Sequence, residues 1–160
     1  LIEAYKETII GGRFKDYKLV VAGKKGWYCE EVFRKVKELD LENDIIFTGY
    51  LADEDMPYFY NAAACFIYPS LYEGFGLPVL EAMACGCPVI TSNTSSLPEV
   101  AGDAAIFIDP YNNKEISEAL RKVLTDGSLR EKMRWDGLAR AAKFSWNKAT
   151  RELLVVFNKL

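Results

Sequence analysis

Short apolar runs alternate along this chain with stretches whose apolar residues recur at helical spacing. Ile2, Tyr5, Ile9 and Ile10 predict a helix over residues 1–10, with Gly11 and Gly12 as its stop. Leu19, Val20, Val21 and Ala22 read as a short strand ending at Gly23. Residues 30–39 predict a helix that turns Val32, Phe33, Val36 and Leu39 inward and its charges outward. Further strands are expected at 45–48, 65–68, 88–91 and 105–108, and helices at 57–63, 78–85, 114–124, 128–142 and 146–159. In the last helix Ala149, Leu153, Val156, Phe157 and Leu160 form an apolar stripe expected to pack in part on this domain. Short buried strands separated by helices indicate an α/β fold, a doubly wound parallel sheet covered on both faces. No linker, repeat or low-complexity segment breaks the order, so residues 1–160 read as a single domain. Such a sheet opens on a strand, whereas this chain opens on a helix and without Met. In the strand order 3-2-1-4-5-6 the first strand is central. The expectation is therefore a sheet lacking that strand, with a gap between strands two and four, in a chain cut from a longer protein.

Between the strand at 65–68 and the helix at 78–85 lies the stretch EGFGLPVLE, residues 73–81. Pro78 suits the first turn of a helix, where its missing N–H costs nothing, and Gly74 and Gly76 let backbone approach a ligand closely. The unpaired N–H groups of that turn form a ready anion site. Glu81 sits about one turn inside the helix, where it can face the molecule those donors hold. The carboxylates of Glu73 and Glu81 repel phosphate, so they suit sugar hydroxyls while the amides take phosphates. A nucleotide sugar offers both groups. Taken alone, Glu73 also reads as a solvated loop acid, and Glu81 as an acid favoured near a positive helix end.

The same residues, with Pro69 and Ser70 before them, Ala82, Met83, Ala84, Gly86, Pro88, Val89 and Ile90 after them, and then Leu97, Pro98, Glu99, Val100, Asp109 and Pro110, resemble the donor-binding domain of the group 1 GT-B glycosyltransferases. That family has retaining enzymes with a glutamate, seven residues, glutamate motif, and the resemblance runs from residue 1 to about 157. It implies the Rossmann-like carboxyl-terminal half of a GT-B fold, and transfer of a sugar from a nucleotide diphosphate sugar to an acceptor hydroxyl in glycan or glycoconjugate synthesis. It implies that Glu73 is the catalytic-site carboxylate, binding hydroxyls of the transferred sugar. The amides of Gly74, Phe75, Gly76 and Leu77 then contact sugar and diphosphate, Glu81 accepts from the ribose, and Gly49, Tyr50 and Leu51 lie near the nucleobase. It implies no cofactor and no metal requirement. The partners are the nucleotide-sugar donor and an amino-terminal acceptor domain, and a basic segment before Leu1 grips the diphosphate. The isolated chain is then expected to bind donor weakly and to transfer nothing. The rival reading is a non-catalytic nucleotide- or protein-binding module of the same fold, since fold does not settle function. A nicotinamide dehydrogenase domain is a third, without its glycine fingerprint here.

Composition narrows the chemistry further. The chain has no histidine, which removes histidine-based nucleophilic machinery and the commonest general base. Its net charge of −3, with Lys and Arg scattered, gives no stripe for nucleic acid. No apolar run approaches the roughly 20 residues that span a bilayer, so membrane association is expected only through another part of the protein. Four cysteines in strand and helix patterns favour a reducing cytoplasm. Cys85 and Cys87 can be read as a metal or redox pair or as small apolar residues. Asp53, Glu54 and Asp55 can be read as a metal-holding pattern or as acids capping the following helix. Ser96 to Glu99 has the spacing of a capping box, which makes Glu99 structural. Gly23, Lys24, Lys25 and Gly26 form either a phosphate contact or a plain turn. Trp135, Phe144 and Trp146 are expected to pack the terminal helices.

Overall fold

The computed structural model describes residues 1–10, 12–24, 26 and 29–159. Gly11, Lys25 and Leu160, named above, lie outside them. Strands β1 (Leu19–Ala22) and β2 (Ile45–Gly49) pair in parallel, Leu19 opposite Ile45 and Val21 opposite Phe47. Strands β3 (Phe66–Tyr68), β4 (Val89–Ser92) and β5 (Ala105–Ile108) form a second parallel sheet in that order. Among the described residues no ladder joins β1 to β3, so the sheet divides where the first strand of a doubly wound order belongs.

Parallel strands need crossover helices, which cover the faces of the sheet. β4 is buried at all four positions because it lies between two layers. Val89 packs with Val79 and Met83 of α4 (Leu77–Ala84) and with Leu97 and Val100 of α5 (Leu97–Ala101). Ile90 turns to the other face, against Ala4 of α1 (Ile2–Ile9) and Ile116, Leu120 and Val123 of α6 (Asn113–Thr125). The neighbouring Tyr5 of α1 enters a third cluster, with Ile45 and with Val36 of α2 (Glu30–Glu38). α1 therefore lies under both half-sheets. Its polar groups follow suit: Glu3 pairs with Lys35 at 2.7 Å and accepts from Asn113 at 2.6 Å, and Lys6 donates to the Leu39 carbonyl at 2.7 Å.

Element boundaries agree with the sequence reading to within two residues, but several packing expectations do not hold. Val20 and Ile46, neighbours on one face of the β1–β2 pair, are 43% and 49% exposed, so that half-sheet is covered on one face only. Val32 is likewise exposed rather than inward. α8 (Trp146–Phe157) buries none of its residues, so its apolar stripe does not pack on this domain. Trp135, midway along α7 (Gly127–Ala141), and Trp146 are also exposed, and the Trp135 indole N–H donates to Glu131 on its own helix at 2.8 Å. Asp55 stands at the N-cap of α3 (Met56–Ala62) with helical dihedrals and makes no side-chain cap. Cys87 belongs to the core, and burial raises its thiol to about 12, which makes it a poor thiolate and an ordinary apolar filler. Among the described residues no helix is long and apolar enough to cross a membrane.

Candidate functional site

The segment between β3 and α4 turns at the carboxyl edge of the sheet, where ligands of such folds bind. Gly76 forms the N-cap of α4 at φ 102° and ψ 46°, a conformation that L side chains avoid. Pro78 follows in the first helical turn, and Val79, Ala82 and Met83 anchor the inner face. Gly76 accepts from the amides of Val79 (3.1 Å) and Leu80 (3.4 Å). The amides of Gly74, Phe75, Gly76 and Leu77 have no acceptor among the described residues. Four unpaired donors thus lie together at a helix start, which is the arrangement that suits an anion.

Glu73 is half-buried at the head of this turn. Its Oε1 accepts from the Tyr68 hydroxyl at 2.6 Å and from Ser70 Oγ at 2.9 Å. Its Oε2 takes no hydrogen bond among the described residues. Burial, and then the hydrogen bond to Glu73, push the Tyr68 phenol up to about 12, so at neutral pH it stays protonated and donates. Glu81 is exposed on the outer side of α4, and its Oε2 accepts from the Tyr60 hydroxyl of α3 at 3.3 Å. Burial first, with the Glu81 charge adding, holds the Tyr60 phenol above its ordinary range as well.

The loop after β4 fastens the backbone of the turn. Ser95 Oγ accepts from the Glu73 amide at 3.0 Å and donates to the Glu73 carbonyl. Ser96 Oγ lies 2.9 Å from the carbonyls of both Glu73 and Phe75, between which its one proton is shared. Ser95 holds a left-handed φ of 60° to present its hydroxyl. This corrects the capping box. Ser96 is the N-cap of α5, but with φ −78° and ψ −12° its side chain makes no cap bond. An N-cap side chain reaches the helix amides from an extended backbone, not a helical one. Phe144 also departs from expectation: it meets Phe75 edge-on at 5.9 Å and lies 5.0 Å beneath the Arg140 guanidinium, so it supports the turn as well as the terminal helices. Replacing Ser96 with Ala removes one bond to the turn and leaves no buried charge. The expected loss is about 1 kcal/mol of stability in a urea melt. An unchanged midpoint would show that the clamp is idle.

Gly49 ends β2, and Tyr50 and Leu51 follow it on the same carboxyl edge. Gly49, at φ 70°, accepts from the Gly23 amide at 3.0 Å, and the Lys24 ammonium lies 4.7 Å over the Tyr50 ring. Gly23, Lys24, Phe33, Phe47 and Gly49 line a cavity of about 400 Å³ there. A second cavity of about 310 Å³, lined by Tyr60, Cys85, Pro88, Arg130 and Arg134, opens at the amino end of β4, away from this edge. Tyr60, Tyr68, Ser70 and Ser95 carry no side-chain role in the sequence reading, and Ser96 carries only that of a helix cap. Hydroxyls clustered at the ends of successive strands were the available signal.

The model of the family described as glycosyl transferases group 1 matches residues 1–138. O-antigen chain mannosyltransferase B of Escherichia coli is 43% identical over 160 residues, covering all of this chain and 42% of that protein. The chain therefore spans less than half the length of that relative. The carboxyl-terminal domain of a group 1 glycosyltransferase, LpcC of Francisella tularensis, superposes with a TM-score of 0.77 at 32% identity, over 89% of this chain and 75% of that one. HepE of Anabaena, in a complex with UDP and glucose, gives 0.88 at 21% identity over all of this chain and 44% of its own, a likeness of fold. The chain belongs to the group 1 glycosyltransferases and has the α/β architecture of the GT-B fold.

Proposed function

We propose that this chain is the donor-binding domain of a retaining enzyme that moves a sugar from a nucleotide diphosphate sugar to an acceptor hydroxyl in glycan or glycoconjugate synthesis. The observation that carries this reading is the pairing of four unpaired amides at the start of α4 with the open Oε2 of Glu73. The amides of Gly74, Phe75, Gly76 and Leu77 take the diphosphate. As the sugar leaves with oxocarbenium character, charge builds on the phosphate oxygens, and fixed donors stabilise it without reorganising. Glu73 accepts from a hydroxyl of the transferred sugar, Glu81 from a ribose hydroxyl, and Gly49, Tyr50 and Leu51 border the base. Charge is taken by amides, so the reading needs no metal ion. The acceptor is held by another domain, and the work is done at the cytoplasmic side. The mannosyltransferase and the UDP-bound neighbour named above support a nucleotide-sugar donor.

Glu81→Ala in the full-length protein tests the ribose contact. Donor affinity by calorimetry is expected to fall by about 1 to 3 kcal/mol, the range for leaving a hydrogen-bonding group without its partner. An unchanged affinity is the result expected of a module that ignores nucleotides, and it would end this reading of Glu81.

A further inference from the structure

We propose that Tyr68 and Ser70 are positioning residues that select which oxygen of Glu73 meets the donor sugar; this rests on the reading of Glu73 given above. A carboxylate offers two oxygens with about two acceptor sites each. Tyr68 donates to Oε1 at 2.6 Å, and Ser70 Oγ, whose one proton is shared with the Tyr72 carbonyl at 3.2 Å, lies nearer to Oε1 at 2.9 Å, so both approach the same oxygen. Oε2 is left as the acceptor, and the plane of the carboxylate is set before any ligand arrives. Tyr68 is itself held in place. Tyr68 is the last residue of β3, its ring stacks on Phe66 at 5.7 Å, and its carbonyl accepts from Thr91 Oγ1 of β4 at 3.0 Å. Ser70 lies two residues further on, at the mouth of the turn. The backbone of Glu73 is held separately by Ser95 and Ser96, so removing the Tyr68 hydroxyl loosens the carboxylate and leaves the amides of the turn in place.

That separation makes the role measurable. In the full-length protein, Tyr68→Phe is expected to lower kcat for transfer about tenfold, the worth of one hydrogen bond to a charged group. Affinity for the nucleoside diphosphate alone, UDP or GDP, stays within about twofold, because the turn amides are untouched. Ser70→Ala has the same signature. On a Glu73→Gln background Tyr68→Phe costs nothing further, since the anionic Oε2 that Tyr68 positions is already gone. The role is overturned if Tyr68→Phe and Ser70→Ala both match the wild type. It is overturned equally if nucleoside diphosphate affinity falls in step with kcat, or if the losses add to those of Glu73→Gln, since either is the mark of general packing. A Glu73→Gln protein as active as the wild type removes the site reading itself. An impaired Glu73→Gln protein beside an unaffected Tyr68→Phe removes only this role.

Discussion

Glu73→Gln in the full-length protein is expected to fold normally and to lose about a hundredfold in kcat/KM for sugar transfer. The amide oxygen of glutamine still accepts from Tyr68 and Ser70, whose hydroxyls lie 2.6 and 2.9 Å from the carboxylate now. Those bonds fix its orientation. They therefore place the new –NH2 where Oε2 stood, so a donor faces the hydroxyl of the sugar in place of an anionic acceptor. The loss combines an absent charge-assisted bond with an unpaired group on the ligand. Thermal unfolding should be unchanged, because the substitution is isosteric and the backbone clamp is independent of it. Transfer at the wild-type rate with donor saturating would refute a role for this carboxylate in the reaction.

Gly76→Ala should damage the protein more broadly. A Cβ at this position would lie 2.7 Å from Leu97 Cδ2, and the backbone stands at φ 102°. Leu97 is fully buried beside Val79 and Met83, so its methyl cannot step aside without disturbing the core. Strained backbone costs about 1–2 kcal/mol and overpacking about 1–3. The expected loss is thus about 2–5 kcal/mol, a large part of what a domain possesses. Because Gly76 also starts α4, the unpaired amides are displaced and nucleotide binding goes with them. Gly74→Ala is the matched control: nothing lies within 4 Å of its Cβ, and its stability should hold to about 0.5 kcal/mol. Urea midpoints of the two variants decide the matter. Equal midpoints would mean that the turn tolerates a side chain and that Gly76 is dispensable to the fold.

Most of the fold was readable because parallel strands, buried on both faces, are apolar without interruption, as in Val89 and Ile90. The turn at residues 73–76 was readable because glycine and proline advertise backbone conformations that other residues cannot adopt. The hydroxyl clamp was not. Ser95 and Ser96 lie more than twenty residues from Glu73, and only the pairing of β3 with β4 brings their loops together. Ser96 misled for a physical reason. Its local pattern offers a cap, but its hydroxyl turns to the Glu73 and Phe75 carbonyls, and its helical dihedrals keep the oxygen from the amides of α5. An apolar stripe, such as that of α8, states that a helix can be covered and says nothing of what covers it. The paired exposure of Val20 and Ile46 has the same origin: alternation places a residue on a face, and only tertiary structure decides whether that face is filled.

The two half-sheets, which share no ladder among the described residues, need a packed link. α1 supplies one, since Ala4 belongs to the core of one half and Tyr5 to that of the other. That link, among the described residues, is a helix of eight residues. A loosened α1 would let the base-side turns after β1 and β2 move against the diphosphate turn before α4, changing the span across which a single donor must reach.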